Sequence, residues 1–187
     1  MRLAVIIGST RHGRFGPTVA HWLAQQAARQ FAIDLIDLAA ADLPTALLDT
    51  DDPVPAEVAV LAPRLAGADA FAVVTPEINN SFPASLKTAL DWFYDEWHAK
   101  PVAVVSYGRE SGGLLATAQL RQVFAELQAV TIRNTVTLPC YWEQFTADGS
   151  WPRPAAGYEA QAKLMLDQLV WWAEALRDAR VKHPYRP

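Results

Sequence analysis

Apolar residues along this chain keep two rhythms. Residues 3–7, 71–74 and 102–105 are unbroken apolar runs, the pattern of strands covered on both faces in a parallel sheet rather than strands with one wet face. Residues 33–37 and 135–138 are shorter strand candidates. Between these runs apolar residues recur at helical spacing: Val19, Leu23, Ala27 and Phe31; Val58, Leu61 and Leu65; Leu86, Leu90, Phe93 and Trp97; Leu115, Ala118, Val123 and Leu127; Leu164, Leu169, Trp172 and Leu176. The order is strand then helix, five times over. It predicts an α/β architecture, a parallel sheet with right-handed crossovers and helices on both faces. Ligands of such sheets bind beyond the carboxyl ends of the strands, so the residues that follow each apolar run are where chemistry is to be sought.

Composition narrows the classes. A chain of 187 residues, 51% hydrophobic and 19% charged, suits one globular domain, expected over residues 1–180 with a C-terminal tail at 181–187. The single cysteine, Cys140, leaves no internal disulfide and is expected to be a buried, inert thiol; His12, His21, His98 and His183 lack metal-ligand spacing, so no metal site is expected. The first apolar run breaks at Gly8, too short for a signal peptide, and no run approaches the ~20 residues a bilayer needs; a cytoplasmic protein without membrane contact is expected.

Charge changes the picture through its placement. The net charge of -4 argues against a nucleic-acid partner. Residues 1–33 nevertheless carry no acid but contain Arg2, Arg11, Arg14 and Arg29, whereas residues 34–63 carry Asp34, Asp37, Asp42, Asp49, Asp51, Asp52 and Glu57 and no base. The acidic stretch reads as a solvated face.

Three post-strand segments stand out. The first, residues 8–16, combines Gly8, Gly13 and Gly16 with the donors Ser9, Thr10, Arg11 and Arg14 at the start of a helix, a setting made for a phosphate. It has neither the lysine of a nucleoside-triphosphate loop nor the glycine spacing of a Rossmann turn. The second, residues 75–83, is stiffened by Pro76 and Pro83 and offers Asn79, Asn80 and Ser81 either to a planar heteroaromatic edge or to a simple Asx-rich turn. In the third, residues 106–113, Gly108, Gly112 and Gly113 permit close backbone approach, and Tyr107 stacks on a ring or packs. A long irregular stretch at residues 139–154, with Tyr141, Trp142, Phe145 and Trp151, either covers a ligand or packs locally.

The combination of G-S-T-R-x-G-R from Gly8, P-E-x-N-x-S-x-P-x-x-L-K-x-A-L-D-W from Pro76 and S-Y-G-x-x-S-G-G from Ser106, with Gln119, Leu120 and Arg121 downstream, resembles the NADPH-dependent FMN reductase family over residues 3–130. The resemblance implies a flavodoxin-like, doubly wound five-stranded parallel sheet in the order 2-1-3-4-5. It implies noncovalent FMN, its phosphate held by Ser9, Arg11, Arg14, Phe15 and Gly16. Its isoalloxazine would lie against Pro76, Glu77, Ile78, Asn79, Asn80 and Ser81 and against Tyr107, Gly108, Ser111, Gly112 and Gly113. The chain departs from the family pattern at Ile78, where tyrosine is common, at Asn80, where glycine is, and at Arg14 and Gly16, where serine and asparagine are.

The resemblance implies an oxidoreductase that takes hydride from NADPH or NADH onto FMN and hands electrons to a small flavin, quinone, azo or metal-ion acceptor. The cofactor carries the chemistry, so no protein nucleophile is required. The alternative is a flavodoxin-like electron carrier without NAD(P)H turnover. A phosphate-binding hydrolase lacks an evident nucleophile and base. Trp92, Phe93, Tyr94 and Trp97, crowded on one predicted helix, together with the family's habit, point to a homodimer or homotetramer using that helix.

Overall fold

The computed structural model describes residues 1–48 and 52–186. Strands β1 (Arg2–Ile7), β2 (Ala32–Asp37), β3 (Ala70–Pro76) and β4 (Pro101–Gly108) lie parallel in the order β2-β1-β3-β4. The fifth position is shared end to end: β5 (Val130–Thr131) pairs with the start of β4 and β6 (Val136–Pro139) with its end. The expected order 2-1-3-4-5 therefore holds, with the last strand broken in two. Every residue of β3 and β4 is buried, as continuous apolar runs require.

Helices α1 (Gly16–Ala27) and α6 (Tyr158–Lys182) cover one face; the short α2 (Leu38–Ala41) follows β2, and α3 (Ala56–Ala66), α4 (Ala84–Trp92) and α5 (Leu114–Glu126) cover the other. α6 runs two residues into the span expected to be a tail. Among the described residues, no helix is long and apolar enough to cross a membrane.

Three helical patterns differ from the structure. α4 ends at Trp92; Phe93 is extended and a turn of 3-10 helix follows at Asp95–Trp97. The Trp97 indole N–H donates to the Phe93 carbonyl at 2.7 Å, taking the acceptor that a continued helix would have used. Phe93 and Trp97 are 2% and 1% exposed, so both belong to the core. Trp92 donates to the Pro44 carbonyl, and of the four aromatics only Tyr94 is exposed. The premise of an aromatic interface helix is thereby corrected. On α5 the buried face is Ala116, Thr117, Leu120 and Phe124, whereas Leu115 and Ala118 are exposed; a five-residue step from Ala118 to Val123 does not fit one helix face. Leu164 is likewise exposed, since α6 buries Ala162, Met165, Leu166, Leu169 and Ala173.

Because β1 and β2 are neighbours, the basic start of the chain meets the acidic stretch. Arg2 and Arg64 flank Asp34 at 2.7 and 2.6 Å, and Arg14 meets Asp37 at 2.5 Å. The Arg64 guanidinium, and then that of Arg2, hold the Asp34 carboxyl below its ordinary value. Asp34 and Asp37 are thus ion-paired rather than solvated, while Asp49 and Asp51 lie outside the described residues. At the far end of the sheet Lys100 is buried, donates to the Leu65 and Ala66 carbonyls at 3.0 and 2.8 Å, and has its pKa lowered by burial to about 8.

Candidate functional site

The loops after β1, β3 and β4 converge on one cleft. Its inner part, about 390 Å³, is walled by residues 9 and 11–15, by Pro76 and Glu77, by residues 107–109, and by Tyr141 and Trp142. An adjoining space of about 370 Å³ lies among Arg11, Ile78, Asn79, Asn80, Glu77 and Arg109. Arg11, Glu77 and Arg109 border both, so the two form one continuous groove.

The first loop presents donors that the protein itself does not engage. Among the described residues none accepts a hydrogen bond from the backbone amides of residues 9–15, and the Arg11 side chain has no hydrogen-bond or ion-pair partner. Arg14 gives one nitrogen to Asp37, but its Nε is buried without a partner. A buried orphan donor is costly unless something else satisfies it. Gly13, at φ +64, has nothing within 4 Å of where a Cβ would stand, so the turn needs glycine for its backbone conformation alone. Gly16 serves packing: a Cβ there would lie 2.9 Å from Ile7 Cγ2. Phe15 stacks on Tyr141 with centroids 4.5 Å apart and meets Tyr107, Phe145 and Trp151 edge-on.

The second loop is a miniature hairpin. Ile78 and Ser81 exchange backbone hydrogen bonds at 2.8 and 2.9 Å, and the two turn residues, Asn79 and Asn80, adopt φ +49 and +62, a left-handed pair that asparagine tolerates. Gln119 on α5 clamps it by donating to the Asn80 carbonyl and accepting from the Ser81 hydroxyl. Glu77 ties the second loop to the third. One carboxylate oxygen accepts from the Ser111 hydroxyl at 2.9 Å and the other from the amides of Leu115 and Ala116 at the start of α5.

The third loop is crowded rather than open. Gly112 and Gly113 have φ +63 and +93; a Cβ on Gly112 would sit 3.0 Å from the Pro139 nitrogen, and one on Gly113 2.5 Å from Ser106 Cβ. Tyr107 is buried, and burial, reinforced by Tyr141, pushes its hydroxyl pKa far up; it stays a neutral phenol.

Of the residues expected at the site, Ser9, Arg11, Arg14, Phe15, Pro76, Glu77, Ile78, Asn79, Asn80, Tyr107 and Gly108 border the groove. Gly16, Ser81, Ser111, Gly112 and Gly113 do not; they stand behind it and set the loops' shape. Sequence reasoning passed over Arg109 and left Tyr141 and Trp142 between site and local packing. The aromatic richness of residues 139–154 was the available signal for the last two. Of the two readings of that stretch the structure shows local packing, Trp151 on Phe15 and Trp22, and it also brings Tyr141 and Trp142 to the groove. Cys140 is half-buried, and partial burial pushes its thiol pKa up. Among the described residues, no cluster of His, Cys, Asp or Glu could hold a metal ion.

Unengaged loop amides, a partnerless Arg11 and the orphaned Arg14 Nε are what a terminal phosphate would satisfy, and the groove leading from them toward Asn79 and Asn80 is bounded by polar backbone and aromatic rings. These residues fit FMN.

Residues 1–143 match the family described as NADPH-dependent FMN reductase. The chain is 34% identical over 148 residues to an NAD(P)H-dependent FMN reductase of Schizosaccharomyces pombe, covering 74% of each chain. It is 35% identical over 140 residues to a 2-hydroxy-1,4-benzoquinone reductase of a Burkholderia species, covering 72% of this chain and 75% of that one. Among solved structures it resembles FerB, a flavoenzyme NAD(P)H:(acceptor) oxidoreductase of Paracoccus denitrificans, with a TM-score of 0.77 and 27% identity over 93% of this chain and 97% of that one. The chain belongs to the NADPH-dependent FMN reductase family, and its activity is that of an NAD(P)H- and FMN-dependent oxidoreductase.

Proposed function

We propose that residues 1–180 form a single FMN-binding domain that reduces small acceptors of the quinone type, with the first loop gripping the cofactor's phosphate and the second and third loops its ring. The observation that carries this reading is the set of unengaged donors in residues 9–15 at one end of the groove. Two relatives support the acceptor class by their names, the Burkholderia enzyme and a quinone reductase of Escherichia coli.

FMN, when bound, supplies the hydride-accepting centre. The chain's own residues position and shield it. Ser9, the loop amides and Arg11 fix the phosphate end; the clamped hairpin at Ile78–Ser81 offers backbone groups to the ring's polar edge. Phe15, Tyr107 and Tyr141 form a wall that excludes water from one side. Glu77 keeps one oxygen on Ser111 of the third loop and the other on the first turn of α5, so it acts as a brace and not as a proton carrier.

The protein works as a homodimer or homotetramer in the cytoplasm. Support for association comes from Leu114, Leu115 and Trp142, exposed beside the groove; support for the compartment is the lone, unpaired Cys140. Light scattering at micromolar concentration that finds only monomer mass would remove the first claim. The function itself is tested by titrating FMN into the purified protein and adding NADPH, then NADH, without oxygen. Bleaching of the flavin and reoxidation by a benzoquinone are expected. Bound flavin that stays oxidised would make the protein a carrier, and an absence of flavin binding would overturn the reading.

A further inference from the structure

The groove holds one more cation than a flavin phosphate requires. Around it stand Arg11, Arg14 and Arg109. Asp37 pairs with Arg14, and Glu77, whose oxygens accept from Ser111, Leu115 and Ala116, makes no ion pair with Arg11 or Arg109. Glu110, next in sequence to Arg109, forms no ion pair with it. Among the described residues the Arg109 guanidinium makes no hydrogen bond or ion pair.

Its base, by contrast, is held firmly. The Arg109 carbonyl accepts from the Gly112 amide at 3.0 Å and from the Cys140 amide at 3.1 Å, which ties the third loop to the segment bearing Tyr141 and Trp142. The side chain borders both the inner space and the adjoining one, opposite the first loop and beside the exposed Trp142. One phosphate is already provided for by Arg11, the buried Arg14 Nε and the free amides. A guanidinium that makes no ion pair, on a fixed stem at the junction where a second ligand must enter, offers its charge to a second anionic group.

We propose that Arg109 binds a phosphate group of the electron-donor dinucleotide and thereby sets the enzyme's affinity for that donor. The inference rests on the placement of FMN proposed above. Two phosphates of the donor share this chemistry, the 2′-phosphate that distinguishes NADPH from NADH and the pyrophosphate common to both. The 2′-phosphate would make Arg109 a selector between the two donors; the pyrophosphate would make it a general anchor.

The experiment is equilibrium binding to the FMN-loaded protein, by calorimetry, of NADP+, NAD+ and 2′,5′-ADP, with Arg109→Gln, Arg109→Lys and Arg109→Glu beside the unaltered chain. Arg109→Gln is expected to weaken NADP+ at least about tenfold, the scale of one charged hydrogen bond. Arg109→Glu should weaken it further, Arg109→Lys should restore part of the loss, and the salt dependence of binding should flatten in the Gln variant. Loss confined to NADP+ and 2′,5′-ADP assigns the 2′-phosphate; equal loss for NAD+ assigns the pyrophosphate. Unchanged affinity for NADP+ and NAD+ overturns the proposal. FMN affinity, measured separately from the flavin spectrum, should be the same in all four proteins. A tenfold loss of FMN in Arg109→Gln would overturn the proposal by placing this arginine on the flavin, and failure of the unaltered chain to bind FMN would overturn the reading beneath it.

Discussion

The loops after β1 and β4 look alike as sequence, each following a buried strand, each with three glycines and at least one arginine, yet they are built on opposite principles. In the first, residues 9–15 make no backbone hydrogen bonds through their amides and Gly13 stands in open space. In the third, Gly112 donates to Arg109, Gly113 donates to the Ser111 hydroxyl, and both glycines exist because Ser106 and Pro139 leave no room for a Cβ. Gly13 lets the first loop turn with its donors free for a ligand; Gly112 and Gly113 let the chain pass through a crowded place, as Gly16 does against Ile7. The distinction lies in where the amides point, and a count of glycines does not reveal it.

The contrast breaks most visibly at Gly113. Gly113→Ala forces a side chain into φ +93 against Ser106, and the expected loss of stability is about 2–5 kcal/mol by urea unfolding. A loss under about 2 kcal/mol, what the positive φ costs by itself, would mean that the third loop is as open as the first. Next comes Arg11→Ala, expected to weaken FMN binding by about 1.5–3 kcal/mol in a fluorescence titration while leaving the unfolding midpoint in place. Stability falling together with affinity would make Arg11 a structural residue. Gly13→Ala should cost about 1–2 kcal/mol, from backbone conformation alone, since no atom lies within 4 Å to clash. Smallest is Asp37→Asn. It keeps the cap on the Ala39 amide but removes the ion pair with Arg14, so stability should drop by about 0–1 kcal/mol. FMN affinity should hold or rise as Arg14 is released, and a clear fall would show that Asp37 is needed to aim it.

Strands were legible because continuous burial leaves a continuous apolar run; β3 and β4 show this throughout their length. The two-residue β5 carries no such signal, and its pairing with β4 follows only from the sheet already present. The end of α4 was hidden because its cause, the Trp97 indole on the Phe93 carbonyl, is a side-chain contact that apolar spacing does not encode. At the site, the phosphate loop announced itself through its donors. Arg109 did not, because an arginine becomes informative only when its neighbours are seen to be engaged with one another. Tyr141 and Trp142 reach the groove by a return of the chain over residues 139–154, a long-range fact that local pattern cannot carry.

Lys100 sits far from either loop, and its surroundings impose a proton balance on folding. The unfolded chain keeps this proton until about pH 10.5, whereas the folded protein releases it near pH 8. Between those values the unfolded form binds more protons, so raising the pH drives the equilibrium toward the native state. Unfolding free energy, followed by chemical denaturation from pH 8 to 10.5, should therefore carry a rising contribution from this one residue. Lys100→Met should remove that contribution. An alkaline solution, usually an enemy of proteins, would here relieve the cost of a charge that folding buries.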